Sequence, residues 1–218
     1  MHIIMINASP HATSFSNTAK ILEPFAQGIL QAGGTVETYH LAQAKQRTPA
    51  KEAFLKHDTI IFALPVFAAT IPGFFMEFLE ELATTGINMP ERKIAFILQS
   101  GFPEACQRKN CEAFLKTIPQ LLHSSFAGIL SQSINLRFVE NKTWQEALDA
   151  YFEMGKQFIK NNGTFFCPEV STFGGPERLT DRQAKMFNRI FNFYCRHMAE
   201  ELGCTVNLSH QPNREEKT

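Results

Sequence analysis

No stretch of this sequence is apolar for long enough to cross a bilayer as a helix. The longest apolar run, Ile60 to Phe75, is short and is broken by Pro65, Thr70 and Pro72. An excess of charge of one sign is also missing: 21 lysines and arginines balance 21 aspartates and glutamates, so the net charge is zero. That balance argues against nucleic acid or an anionic membrane as the main partner. Cysteine is scarce, with five residues in no metal-binding spacing, and an odd number suggests reduced thiols. A basic leader and cleavage site are lacking before the apolar run Ile3-Ile4-Met5-Ile6, so the expectation is a cytoplasmic protein. Neither a Walker A pattern nor GxGxxG occurs. Tryptophan and tyrosine are rare, at one and three copies, whereas phenylalanine reaches 21. Many of those rings must fill a core, and a surplus is available for an interface or a flat aromatic ligand.

With 218 residues, 44% of them hydrophobic and 19% charged, the chain can build one sizeable core with an appendage. Strand and helix patterns alternate, which predicts a mostly parallel sheet with helices on both faces. The strands are expected at His2–Asn7, Thr35–Leu41, Asp58–Leu64, Lys93–Gln99 and Phe126–Ile134. Helical spacing covers Thr18–Gln31, Gly73–Ala83 and Gln107–His123, and Thr48-Pro49 reads as the start of a short helix ending at Lys56. Thr143 with Glu146, and Thr180 with Gln183, are capping-box pairs that open two further helices, the second ending near Gly203. Residues 1–160 therefore read as one domain. Residues 161–218 read as a linker (Asn161–Pro176), a C-terminal helix and a polar, frayed tail from His210.

Right-handed crossovers bring every post-strand loop of such a sheet to its carboxyl edge. In the doubly wound order 2-1-3-4-5, the loops after strands one, three and four lie side by side where ligands bind. The first, Ala8 to Thr18, is rich in hydroxyls, has no lysine or arginine, and ends at a helix N-terminus. It suits a terminal phosphate held by neutral donors, or it simply caps the helix through Ser16, Asn17 and Thr18. The second, Pro65 to Gly73, is apolar although expected at a solvent-facing edge, so Phe67 can lie on a planar ring or serve as a core phenylalanine. The third is Ser100-Gly101-Phe102-Pro103, which pairs glycine with an aromatic or forms an ordinary turn.

Four pieces, Asn7-Ala8-Ser9-Pro10, Ser16-Asn17-Thr18, Pro65-Val66-Phe67 running to Ile71-Pro72-Gly73, and Ser100-Gly101-Phe102-Pro103-Glu104, resemble the flavodoxin-like NAD(P)H-dependent FMN oxidoreductases. The resemblance implies a flavodoxin-like three-layer α/β sandwich around a five-stranded parallel sheet, with an extra C-terminal helix. It implies FMN as cofactor, with Ser9, Ser16, Asn17 and Thr18 at the phosphate and Pro65, Val66, Phe67, Ser100, Gly101 and Phe102 flanking the ring, while His11, in the same loop, reads from its own position as a phosphate contact or an exposed loop histidine. It further implies NAD(P)H as electron donor, a small acceptor such as a quinone, and no side-chain acid or base, since hydride passes to the flavin itself. A homodimer is expected, because such folds often complete the flavin pocket from a second subunit. Three departures stand out: Ala8 where relatives commonly have glycine, His11 where arginine is frequent, and Ser131-Gln132-Ser133-Ile134-Asn135 in place of a glycine-rich turn. The alternative is a non-enzymatic electron carrier or flavin-binding module of the same fold.

Outside these loops, Cys106 and Cys111 flank a helix start and are reactive or simply buried. His197 and Glu201 share a helix face and read as a surface pair rather than metal ligands. Phe187, Ile190, Phe191 and Tyr194 form a packing stripe, on the domain or across a dimer.

Overall fold

The computed structural model describes residues 1–11, 16–67, 69–84, 92–201 and 203. The loop residues Ala12 to Phe15, Ala68, and the tail from His210 lie outside the described residues. A first compact unit spans Met1–Arg178 and a second Leu179–Thr218.

In chain order the first unit runs β1 (His2–Asn7), α1 (Asn17–Gln31), β2 (Thr35–His40), α2 (Ala44–Lys56), β3 (Thr59–Val66), α3 (Gly73–Ala83) and β4 (Lys93–Ser100). A 3-10 turn (Ala105–Arg108) leads into α4 (Lys109–Leu115) and α5 (Ile118–Leu121), then β5 (Ser125–Gln132), α6 (Leu136–Glu140), α7 (Trp144–Lys160) and α8 (Pro168–Phe173). The sheet is all parallel with order β2-β1-β3-β4-β5.

Strand side chains alternate between two cores, as the pleat requires. Ile4, Ile6, Ile60, Phe62, Leu64, Ile94, Phe96 and Leu98 face one way, onto α2 to α5. Ile3, Met5, Ile61, Ala63, Ala95 and Ile97 face the other, onto α1, α7 and α8. All of these are fully buried, which accounts for strands that read as continuous apolar runs. The first face is filled by phenylalanine: Phe62 sits among Phe54, Phe75, Phe78 and Phe96 with centroids 5.1–6.4 Å away. The second face is thin enough for α1 and α7 to meet backbone to backbone. A Cβ added at Gly155 would lie 2.1 Å from the Phe25 carbonyl oxygen, and one at Gly28 would lie 2.0 Å from that of Phe152.

Several boundaries differ from expectation. β3 and β4 run on to Val66 and Ser100, pairing Pro65 with Gln99 and Val66 with Ser100. Pro65 is tolerated because β1 makes its last rung with β3 at Ala63. α2 begins at Ala44, not at Thr48, and Pro49 lies inside it. Side chains start that helix early: Gln46 accepts from the His40 N–H at 2.7 Å and donates to the Gln43 side chain at 2.7 Å. The expected helix 107–123 is a 3-10 turn, α4 and α5, the last two separated because Pro119 has no N–H for the Leu115 carbonyl. β5 stops at Gln132, and α6, unforeseen, follows and ends on Asn141 in the left-handed region (φ 54°).

The interval Asn161–Pro176 is not a linker. Phe165 is buried against Phe25 and Phe158, and its N–H bonds the Ala127 carbonyl at 2.7 Å, so the segment packs on β5. Both capping boxes form. The Thr143 N–H reaches Glu146 at 2.7 Å, and the Thr180 N–H reaches Gln183 at 3.1 Å. In the second unit, α9 (Asp181–Glu201) carries the His197–Glu201 pair at 3.4 Å on its surface.

Gly155→Ala should cost about 2 kcal/mol or more, because two helix backbones must separate to admit one methyl group. A urea midpoint unchanged from wild type would contradict that packing.

Candidate functional site

Where β1 ends, the chain turns through α1 to one face of the sheet, and where β3 ends it turns through α3 to the other. The crevice between them opens at the carboxyl edge. A cavity of about 390 Å³ lies there, walled by the segments after β1, β3 and β4. Ser9, His11, Asn17 and Thr18 come from the first, Pro65, Val66, Phe67 and Ala69 from the second, and Gln99, Ser100, Gly101, Phe102 and Gln107 from the third. Ten of the eleven expected residues are thus brought together. Ser16 is not: it is buried as the N-cap of α1, accepting from the Ala19 N–H at 3.1 Å. Ala69, Gln99 and Gln107 were not foreseen.

The first wall is fixed by a short polar chain. The Ala8 N–H bonds the Ala63 carbonyl at 2.8 Å, tying the strand exit to β3. The Asn7 side chain accepts from the Ser9 N–H at 2.9 Å, and the Ser9 hydroxyl accepts from the His11 N–H at 3.4 Å. Thr18, in the first turn of α1, has a buried hydroxyl with no hydrogen-bond partner among the described residues. A buried hydroxyl left unpaired costs free energy unless something arrives to bond it.

The second wall is a tight turn. Phe67 and Thr70 exchange backbone bonds at 2.9 Å each, with Ala69 in the left-handed region (φ 62°). The Cys111 thiol donates to the Ala69 carbonyl at 3.2 Å, so this cysteine braces the turn from α4. Burial pushes that thiol up from its ordinary pKa, which keeps it protonated and suited to donating. Phe67 remains 42% exposed with its ring edge-on to His11 at 6.1 Å, and Phe102 is 52% exposed across the mouth. Of the exposed phenylalanines, these two line one cleft together, which suits a flat apolar partner.

The third wall is held from behind by Arg108, which is completely buried. Its guanidinium donates to the Ser131 hydroxyl at 2.8 Å, the Ser100 hydroxyl at 3.3 Å, and the carbonyls of Phe102 at 3.4 Å, Glu104 at 3.1 Å and Gly174 at 2.6 Å. Burial lowers its pKa, with Glu112 the largest opposing influence. Asn135 donates to the Gly101 carbonyl at 2.9 Å, and the N–H groups of Ala105 and Cys106 bond the carbonyls of Pro176 and Glu177. Sequence reading missed Arg108 and Asn135. The only available signal was an arginine placed where the helix after β4 had to turn inward.

His11 is the sole titratable residue of the lining. The cleft can bond a small anion with neutral donors at the α1 N-terminus and cover a planar group with two rings. Among the described residues no group of three or more histidine, cysteine or acidic side chains could hold a metal, and no helix is long and apolar enough to cross a membrane.

Residues 1–147 match the family model described as the flavodoxin-like fold. The chain belongs to that family. Solved structures agree on the fold of this flavodoxin-like protein. An NADPH-quinone reductase from P. pentosaceus is 16% identical with a TM-score of 0.55, covering 71% of this chain and 98% of its own. An azoreductase from Bacillus anthracis is 14% identical with a TM-score of 0.53, covering 73% and 99%. An NAD(P)H:quinone oxidoreductase from Methanothermobacter marburgensis is 15% identical with a TM-score of 0.56, covering 72% and 96%. No curated protein matches the sequence.

Arg108→Met should destabilise this flavodoxin-like domain by about 3 kcal/mol, since it strands several buried oxygens at once. Arg108→Lys should not restore it, because a point charge cannot span the same fork. Equal urea midpoints for Arg108→Lys and wild type would overturn that account.

Proposed function

We propose that the protein is an FMN-dependent oxidoreductase that takes a hydride from NAD(P)H and hands electrons to a small acceptor such as a quinone. The observation that carries this reading is the Thr18 hydroxyl at the start of α1, buried with no partner among the described residues, in the same cleft as two exposed rings. The lining fits a monophosphate with a flat tricycle: neutral donors at one end, apolar walls at the other, and no fixed cation to favour a triphosphate. The reductases and the azoreductase that share the fold are consistent with redox chemistry at this edge.

FMN, when bound, supplies the hydride-accepting ring; the protein supplies position and dryness. Ser9, Asn17, Thr18 and His11 hold the phosphate end. Pro65, Val66, Phe67, Ser100, Gly101 and Phe102 would flank the ring. Gly101 leaves room for close approach, because a Cβ there would meet nothing within 4 Å. No residue of the lining acts as a proton donor or acceptor to the substrate in this scheme. We further propose a cytoplasmic homodimer that uses the apolar stripe of α9, where Tyr194 is 51% exposed. A carrier that only relays electrons is the rival.

The purified protein should turn yellow with FMN, and NADH or NADPH should bleach it anaerobically. Bleaching excludes the pure carrier, and failure to take up FMN sinks both. Thr18→Val should weaken FMN binding about tenfold, the loss of one charge-assisted bond. It should leave the urea midpoint equal or raised, because an unpaired hydroxyl has been removed. A fall in stability without a change in affinity would show that Thr18 serves the fold instead.

A further inference from the structure

The first wall of the cleft is connected to a histidine outside it. Asn7 is 2% exposed and lies between Ser9 and His40. A backbone N–H can only donate, so the Ser9 N–H fixes the Asn7 carbonyl oxygen toward itself at 2.9 Å. The Asn7 NH₂ then faces His40 Nδ1 at 3.0 Å, and it too can only donate. His40 Nδ1 must therefore carry a lone pair, which makes the ring neutral with its proton on Nε2. The backbones on either side are pinned: the Leu41 N–H bonds the Asn7 carbonyl at 2.9 Å and the His40 N–H bonds Gln46 at 2.7 Å.

We propose that His40 and Asn7 are positioning residues: neutral His40 orients Asn7, Asn7 orients the Ser9 backbone, and protonation of His40 undoes this and weakens phosphomonoester binding at that loop. Protonation puts a hydrogen on Nδ1, so two donors meet. Rotating the Asn7 amide by half a turn only moves the conflict to the Ser9 N–H. No orientation of the amide satisfies both neighbours, and Asn7 itself is buried. Ser9 is released, and with it the His11 N–H that its hydroxyl accepts.

The groups around the ring do not compensate for that charge. β1 offers the Asn7 amide and α2 the Gln43 and Gln46 amides. Lys20 and Glu23 of α1 line the groove onto which His40 opens, and neither is ion-paired with it among the described residues. Burial lowers the His40 pKa from 6.5. A base whose folded pKa is depressed supports the folded, binding-competent state fully above its ordinary pKa and progressively less as pH falls from there toward the folded value. Phosphate protonation near pH ~6 weakens binding equally with or without His40.

The proposal rests on reading the cleft as an FMN site, so its test has one arm without ligand. In ¹⁵N–¹H spectra of the ligand-free full chain, the Ser9 N–H and the Asn7 side-chain NH₂ should shift together with the His40 ring, at a midpoint below 6.5. A Ser9 N–H that stays still while His40 titrates overturns the proposal, and this arm needs no variant. His40→Asn puts an uncharged acceptor where Nδ1 stood and should abolish the Ser9 shift. With FMN as probe, the ratio of wild-type to His40→Asn dissociation constants should rise about fivefold between pH ~7.5 and pH ~5.5. The contribution from the phosphate's own protonation cancels in that ratio. A ratio independent of pH overturns the proposal. Proteins that bind no FMN at any pH, while Ser9 still follows His40, sink the FMN reading and uphold the positioning relay.

Discussion

The buried guanidinium of Arg108 holds together the edge of the sheet on which the cleft depends. Three segments that are far apart in sequence converge on it: the end of β4 with the loop that follows, the end of β5, and the stretch around Gly174. Taking an unpaired cation out of water is costly, and such a group persists only where its donors are satisfied. Here its hydrogen bonds go to neutral oxygens rather than to a carboxylate. Its strength lies in geometry. The Phe102 carbonyl accepts from both Arg108 and the Ser100 hydroxyl, which fills its lone pairs and fixes the peptide next to the exposed Phe102 ring.

The sheet was legible in the sequence because its physics is local and repetitive. Runs such as Ile3-Ile4-Met5-Ile6 and Ile60-Ile61-Phe62-Ala63 are apolar on both faces of the pleat, and only a strand between two helical layers needs that pattern. The capping boxes were legible for a similar reason, since both partners lie within four residues. What failed was decided at longer range. Pro49 looks like the first residue of a helix until Gln43 and Gln46 start that helix a turn earlier. Asn161–Pro176 looks like a linker because its glycines, proline and polar residues speak locally. Phe165 is placed by Phe25 and Phe158, far away in the chain.

The walls of the cleft were largely legible as well, because topology brings the loops after β1, β3 and β4 together whatever their sequence. The supports behind those walls were not. Asn135, Cys111 and Arg108 each hold a loop by bonding its carbonyls, and nothing in their own neighbourhood announces it. Ser16 shows the converse. Its place in a hydroxyl-rich loop suggested a ligand contact, but an N-cap has the same composition, and its oxygen is used by Ala19.

The departures from the family pattern acquire a physical meaning here. Where relatives commonly turn on glycine after the fifth strand, this chain sends Ser131 to Arg108, Gln132 to the Phe173 carbonyl and Asn135 to the Gly101 carbonyl. Ser131 and Asn135 thereby brace the third wall, and Gln132 ties β5 to α8. A braced loop loses less conformational freedom when a ligand arrives, and part of the ordering cost of binding is thereby met on folding. The same logic governs the first wall, where Asn7 fixes the Ser9 N–H in advance. A cleft without a fixed cation has no long-range attraction to offer a phosphate. On the proposed reading of the cleft as a phosphate site, its donors must already point the right way, and residues behind the walls such as Asn7 set that direction.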